Sequence, residues 1–398
     1  MKITKRIQNI TPSATLSFME KVTEMRMQGI DVISFSVGEP DFNTPENICG
    51  AGCEAIRAGK THYTPVPGIP ELRRAVSEKL ARENSLDYPP QAISVGTGAK
   101  QPIFNTILAL CEEGDEIILP TPCWVSYVEM IKLAGARPVL VPAKETDGFQ
   151  LDLAAIRAAV TPRTVAVLIN TPNNPTGAVY SEEGLRGLAE IALAHDLTVI
   201  SDEIYEKLIY NGKRHFSIGS ISPEVLAHTV TINGFSKAYA MTGWRLGYAA
   251  GPLPLIKGVN ALMGHATSCP SSIAQYAALE ALSGPQESVE TMRREFDRRR
   301  AFLVARLNAM EGVSCADADG AFYLFPNVSS FYGRTAPDGS VIRDSFDLAH
   351  YLLAEGHIAA VPGAAFEAPD NLRLSYSNAY EAIEEGARRM ETALNALK

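Results

Sequence analysis

Long apolar runs are missing from this 398-residue sequence. No stretch approaches the ~20 consecutive apolar residues that span a bilayer, and the opening Met1-Lys-Ile-Thr-Lys-Arg-Ile-Gln-Asn-Ile10 returns to polar residues too soon for a secretory signal. Basic charge is in deficit: 36 Lys and Arg stand against 45 Asp and Glu, a net charge of −9, which argues against a broad nucleic-acid surface. A cytoplasmic location is the expectation. The six cysteines are too few for a disulfide framework in a chain of this length and lack the histidine-paired spacing of a zinc site. Cys49 and Cys53 share a helix face and read as small buried residues. No internal repeat and no low-complexity linker is visible. What remains is an ordinary globular composition, 46% hydrophobic and 20% charged, in a chain longer than the ~250–300 residues at which single cores stop growing. Two domains follow as the default.

From Ala92 to Gly251 short β-rich runs alternate with amphipathic stretches, the pattern of βαβ units and a largely parallel sheet. Strands are expected at Ala92–Val95, Glu116–Leu119, Pro138–Val141, Val165–Ile169, Leu197–Ser201, Val230–Ile232 and Leu246–Ala249. Helices are expected at Ala99–Cys111, Val125–Leu133 and Glu182–Ala194, the last capped by Ser181 with acids in its first turn. A long charged helix, Glu287–Asn308, reads as a solvated face leading out of this unit. Beyond it, strands at Ala321–Phe325, Ile358–Val361 and Leu372–Ser375 and a helix at Glu381–Leu397 suggest a second, α+β unit. The expected architecture is α/β, with a large domain at residues 31–288 and a smaller one made of 1–30 and 289–398.

The run Asn233-Gly-Phe-Ser-Lys-Ala-Tyr-Ala-Met-Thr-Gly-Trp-Arg245 follows the β-branched Thr229–Asn233, so a strand delivers Lys237 at its carboxyl end. Lysine amines form Schiff bases with carbonyls, and a hydroxyl (Ser236) and a guanidinium (Arg245) nearby suit a phosphate. Gly96-Thr-Gly98-Ala99-Lys100, between a strand and a helix, lets backbone donors approach an anion. Gln101 replaces the third glycine of a dinucleotide fingerprint, which disfavours a nicotinamide dehydrogenase. Asp202, directly after buried strand residues, requires a cation; a protonated pyridine nitrogen would satisfy it. Tyr205 could then reach a phenolic oxygen on the same ring and Trp124 could stack on its face. Asn170–Gly177 is a turn-rich segment at another strand end, where ligands gather in open α/β sheets. A phosphate, an aldehyde, a basic ring nitrogen, a phenolic oxygen and a flat face together describe pyridoxal phosphate.

On these residues the sequence resembles the class I aminotransferases of fold type I, most of all the bacterial aspartate/prephenate aminotransferase branch, from Ser34 to Arg388. The segments that carry the likeness are Gly38-Glu-Pro-Asp-Phe42, Tyr63–Arg73, Asn170–Tyr180, Ser201–Tyr205, Ser236–Gly247, Gly320-Ala-Phe-Tyr323 and Arg373-Leu-Ser-Tyr376. The resemblance implies that Lys237 binds the cofactor covalently, that Asp202 pairs with the ring nitrogen, and that Asn174 and Tyr205 reach the phenolic oxygen. It also implies that Ser236, Arg245 and the Gly98–Lys100 backbone hold the phosphate while Trp124 stacks. Arg373 would grip the substrate α-carboxylate, helped by Gly38, Trp124 and Asn174. Lys100, with Thr15 as helper, would read a distal carboxylate, since Gly251–Met292 contains no arginine. A homodimer is implied in which Tyr63 reaches the neighbouring subunit's phosphate. Cys123 departs from the tyrosine common in that branch, a change of packing more than chemistry. The implied reaction is ping-pong transamination between aspartate or glutamate and a 2-oxo acid, with prephenate as an alternative acceptor. A same-fold carbon–sulfur lyase would keep the same cofactor residues. A non-catalytic ligand sensor of this fold would want a DNA-binding module for which the first ~30 residues leave no room.

Overall fold

The structure, a computed structural model, describes residues 2–11 and 14–398, the side chains of Arg6 and residues 14–17 excepted. Helices α1 (Lys5–Gln8) and α2 (Ala14–Met27) precede a two-residue strand, β1 (Ile33–Ser34), and helices α3 (Glu46–Arg57) and α4 (Pro70–Asn84). The main sheet then begins with β2 (Ile93–Thr97), followed by α5 (Lys100–Leu110), β3 (Glu116–Thr121), α6 (Val125–Leu133) and β4 (Arg137–Pro142). It continues through α7 (Leu153–Ala159), β5 (Thr164–Asn170), α8 (Glu182–Ala194), β6 (Thr198–Asp202), α9 (Pro223–Ala227), β7 (Thr229–Gly234) and β8 (Leu246–Ala250). Helices α10 (Leu253–Ala266), α11 (Ser272–Ser283) and α12 (Glu287–Asn308) lead to β9 (Tyr323–Leu324), α13 (Ser345–Glu355), β10 (Ile358–Ala359), β11 (Val361–Pro362), β12 (Leu372–Ser375) and α14 (Tyr380–Asn395).

The seven strands stand in the order β2-β8-β7-β6-β5-β3-β4. Pairing is parallel from β4 through β7, and β8 runs antiparallel to both its neighbours. Alternate side chains leave opposite faces. Ile117, Leu119, Ala166, Leu168 and Ile200 enter one core with α5, α6 and α10, whereas Ile118, Val167, Ile169 and Val199 enter another under α7, α8 and α9. Burial on both faces explains why these strands read as nearly continuous apolar runs. Ser181 caps α8 by accepting from the Gly184 N–H, and Glu182 and Glu183 lie in its first turn, where the helix dipole favours acids.

A further core, away from the main sheet's two faces, gathers Phe296, Leu303 and Leu307 of α12, Leu348 and Leu352 of α13, Ile383 and Met390 of α14, and Phe18 and Val22 of α2. Helix α12 joins the two regions: Val289 packs with Leu72 and Ala278 under α4 and α11, while Phe296 lies about two turns on, in the core shared with α13 and α14.

Four expectations need correction. Ile358–Val361 is not one strand: β10 pairs parallel with β1 and β11 pairs antiparallel with β12, so the chain changes sheets at Ala360. The strand expected at Ala321–Phe325 is only Tyr323–Leu324, because Ala321 has a left-handed φ of 59°. The Glu287–Asn308 helix is not a solvated face throughout. Arg299 and Arg300 are buried, and their charges are met by Asp41, Glu295, Asp297 and Asp317. Cys53 is exposed and Cys49 half-buried, so that helix face is not core.

Candidate active site

Every strand end that carries chemistry opens on the same edge of the sheet. Strands β2, β3, β5, β6 and β7 run in one direction and end there, and β8, running the other way, begins there. The edge therefore receives the turn after Thr97, the loop after Thr121, the loop after Asn170, Asp202 itself, and the segment from Ser236 to Arg245. Loop 36–44 and Arg373 of β12 close the opposite side. The result is a cavity of about 340 Å³.

Of the residues singled out from sequence, Gly38, Ala99, Lys100, Trp124, Asn174, Asp202, Tyr205, Ser236, Lys237, Arg245 and Arg373 all line this cavity. Gly98 lies beside it: a Cβ there would stand 2.5 Å from Arg245 Nη2, and its φ of 68° already favours glycine. Tyr63 is elsewhere, with 91% of its surface exposed. The side chain of Thr15 lies outside the described residues.

Lys237 Nζ donates to the Gly38 carbonyl at 2.5 Å. Burial holds its amine down to about 8, the nearby Glu39 opposing and Arg373 and Arg245 assisting. Asp202 is buried; its Oδ2 accepts the Tyr127 hydroxyl at 2.6 Å and its Oδ1 the Ile204 N–H at 3.2 Å. Burial lifts this carboxyl to about 6 although both hydrogen bonds favour the ionised form. Arg373, only 2% exposed, donates to the Ser36 carbonyl at 2.8 Å and to Asn174 Oδ1 at 3.2 Å, and its Nε has no partner among the described residues. Its face lies 4.6 Å from the Tyr323 ring centre. A buried guanidinium held by neutral oxygens, with one N–H unmet, is a receptor for a carboxylate.

Lys100 Nζ stands 4.6 Å from the Trp124 ring centre and 3.3 Å from Ser126 Oγ. Burial, with Arg245 nearby, lowers its affinity for a proton. The first turn of α5 has neither a side-chain cap nor an acid, so its N–H groups face the cavity edge beside Ser236 and Arg245. That donor set suits a phosphate. The turn is pressed against β8: a Cβ on Gly247 would lie 2.4 Å from the Ala99 nitrogen. Cys123 is buried among Tyr127, Ile131 and Leu119.

Sequence reasoning overlooked several groups. Tyr127 holds Asp202; Trp124 and Tyr127, three residues apart at the start of α6, share a helix face, which was the available signal. Asn170 accepts the Asn174 N–H at 2.8 Å through Oδ1 and donates to the Asp202 carbonyl at 3.0 Å, joining two strand ends. The Tyr323 hydroxyl lies 3.0 Å from that of Tyr205. Glu39 accepts the Thr242 hydroxyl at 2.7 Å, and the Thr242 carbonyl accepts Arg245 Nη1 at 2.8 Å. Tyr323 and Glu39 lay inside quoted segments, but neither residue type announces its partner.

Comparison with known proteins places the chain among its relatives. The chain is 48% identical over 396 residues to an aspartate aminotransferase of Geobacillus stearothermophilus, covering 100% of both chains. It is 46% identical over 386 residues to an aspartate/prephenate aminotransferase of Cereibacter sphaeroides, covering 97% of this chain and 96% of the relative. Among solved structures, an aspartate aminotransferase from Rhizobium meliloti superposes with a TM-score of 0.97 at 41% identity, covering 100% of both chains. One from Thermus thermophilus with maleate gives 0.93 at 42% identity, covering 99% of this chain and 100% of the other. With the family model of aminotransferase class I and II matching residues 30–390, the chain belongs to that family.

Proposed function

We propose that this protein is a pyridoxal-phosphate-dependent aspartate aminotransferase that moves the amino group of a dicarboxylic amino acid to a 2-oxo acid and works as a homodimer. The observation that carries this reading is the joint presence in one cavity of a lysine amine held near 8, a buried carboxyl, and a buried guanidinium with an N–H unmet among the described residues. The residues fit the cofactor. Ser236, Arg245 and the first turn of α5 would hold its phosphate, Asp202 would face the ring nitrogen, Asn174 and Tyr205 the phenolic oxygen, and Trp124 the ring. When bound, pyridoxal phosphate supplies a carbonyl that condenses with amines and a ring that accepts the electron pair released at the substrate α-carbon.

The chain's own groups do the rest. Arg373 binds the α-carboxylate and so fixes which bond at the α-carbon faces Lys237. With an amine near 8, Lys237 can take and return a proton at neutral pH. Asp202, as carboxylate, keeps a proton on the nitrogen it faces. Lys100, beside Trp124, is placed to meet a second carboxylate, in keeping with the maleate held by the Thermus thermophilus relative. The name of the Cereibacter sphaeroides relative makes prephenate the second acceptor to try. The domain division at residues 31–288 against 1–30 with 289–398 belongs to this reading, supported by the packing of Phe18 and Val22 with α13 and α14. Tyr63, with its large exposed ring, is the residue that would enter the neighbouring subunit's site.

The test is to reduce the purified yellow protein with borohydride and map the tagged peptide, then compare glutamate plus oxaloacetate with glutamate plus prephenate. The tag is expected on Lys237, and Lys237→Ala is expected to abolish turnover. A tag elsewhere would refute the assignment; a tag on Lys237 with neither acceptor used would favour the lyase chemistry.

A further inference from the structure

Behind Asp202, on the face turned away from the cavity, lies a buried charged cluster that the reaction as described does not use. Successive residues of an extended strand end point to opposite sides, so Asp202 faces the cavity and Glu203 faces α4. Glu203 is fully buried. Its Oε2 lies 2.7 Å from His215 Nε2 and accepts the Ser217 hydroxyl at 2.6 Å, while its Oε1 accepts the Ser201 hydroxyl at 2.9 Å. One turn on, Glu206 accepts from the Lys79 ammonium and, at 2.7 Å, from Asn84 Nδ2. Lys79 also donates to Asn84 Oδ1 at 2.7 Å.

A metal ion is not needed here. Glu203, Glu206 and His215 bring possible ligand atoms within 4.8 Å of one another, but Lys79, Asn84 and Ser217 already give both carboxylates hydrogen-bond donors. The charge is what stands out: two buried carboxylates face one ammonium, and only an imidazolium at His215 makes the cluster neutral. Among the buried groups that sum stands. Glu83 of α4 lies 3.8 Å from Lys79 but is paired with Lys207 at 2.6 Å and with Arg82 at 2.8 Å, and the Arg82 side chain is 60% exposed, so water screens its charge. The phenols of Tyr88, Tyr239 and Tyr248 are driven upward by burial and stay neutral.

We propose that His215 is a positioning residue for the reaction: held on Glu203 as an imidazolium, it cancels the surplus carboxylate one residue from Asp202 and so lets Asp202 ionise against the cofactor nitrogen. Without that positive charge, Glu203 would be an unbalanced anion beside a carboxylate that must itself be ionised, and like charges resist ionisation. Burial pulls the His215 imidazole down, and its Nδ1 has no hydrogen-bond partner among the described residues, but the carboxylates of Glu203 and Glu206 hold the ring above the ordinary histidine value. Glu203 in turn pushes Asp202 up.

This inference rests on Asp202 serving the cofactor nitrogen, and the experiment separates the two. His215→Gln removes the charge and keeps an N–H donor; the double variant Glu203→Gln with His215→Gln removes both charges and restores neutrality. In wild-type protein, histidine-selective NMR, with the His215 signal assigned by its loss in the single variant, should show an imidazolium at pH 7. The single variant should move the acid limb of kcat/KM up by about one pH unit, and the double variant should bring it back. Pyridoxal phosphate, measured by equilibrium dialysis at pH 6, should bind about tenfold more weakly to the single variant and normally to the double. A neutral His215 at pH 7, an unmoved limb in the single variant, or a double variant no better than the single would overturn the proposal. Should the single variant fail to fold, an active double variant would support it and an inactive one would refute it. Wild-type protein without transaminase activity but with a charged His215 would instead count against the proposed function.

Discussion

The Tyr127 hydroxyl donates a hydrogen bond to Asp202 across 2.6 Å inside the core, and that bond favours the ionised carboxylate. Hydrogen bonds to charged groups contribute about 1.5–3 kcal/mol, so Tyr127→Phe should leave the protein folded while lowering kcat/KM at pH 7 about tenfold or more. The acid limb should rise, because the carboxylate that must be ionised has lost a donor. Lys100→Ala should weaken selectivity for aspartate over a monocarboxylic amino acid by about ten- to a hundredfold, the same range expressed as a ratio. Equal losses for both substrates would make Lys100 a scaffold residue. These two residues mark what the sequence revealed and what it hid. A lysine beside glycines after a strand suggests an anion, whereas a tyrosine on a helix reads as core until the strand opposite is known to end in an acid.

The turn at Gly98–Ala99 and the start of β8 meet backbone to backbone at Gly247. Gly247→Ala has no flexible neighbour to displace, so the turn must move. A displacement near 1 Å at a reacting site costs about a hundredfold in kcat; absorbance of bound cofactor and initial rates would register it, and a wild-type rate would show that the contact is slack. Loop 36–44 is similarly held: Thr44 donates to the Ala240 carbonyl at 2.7 Å, and Asp41 accepts from the buried Arg299 of α12 at 2.7 Å. Asp41→Ala removes one charged partner and should cost about 2 kcal/mol in urea unfolding, Glu295 still meeting Arg299. The main-sheet strands were legible because their short apolar runs are nearly continuous and bounded by turn residues. The short strands β10 and β11 were not, since two-residue pairings carry no period and depend on partners hundreds of positions away.

Across the fold, the site's charges set how stability should respond to pH once the cofactor is stripped. Lys237 is held near 8, below the ordinary lysine value of about 10.4, so between those values the unfolded chain binds the extra proton and stability rises with pH. Lys237→Met should therefore stabilise the stripped protein by about 3 kcal/mol at pH 7, with the advantage gone by about pH 11. Urea midpoints at the two pH values decide it; an equal advantage at both would place the effect in packing. Sedimentation should find a particle of twice the 43.0 kDa chain mass. Length suggested two domains, but nothing in the sequence showed that α12 would bury Arg299 and Arg300 against Asp41 and Asp317. One consequence reaches past any single group. Arg373 leans on the carbonyl of Ser36 and Lys237 on that of Gly38, two links along one taut thread and about 7 Å apart at most. A ligand tugging the guanidinium thus plucks the same string on which the amine rests.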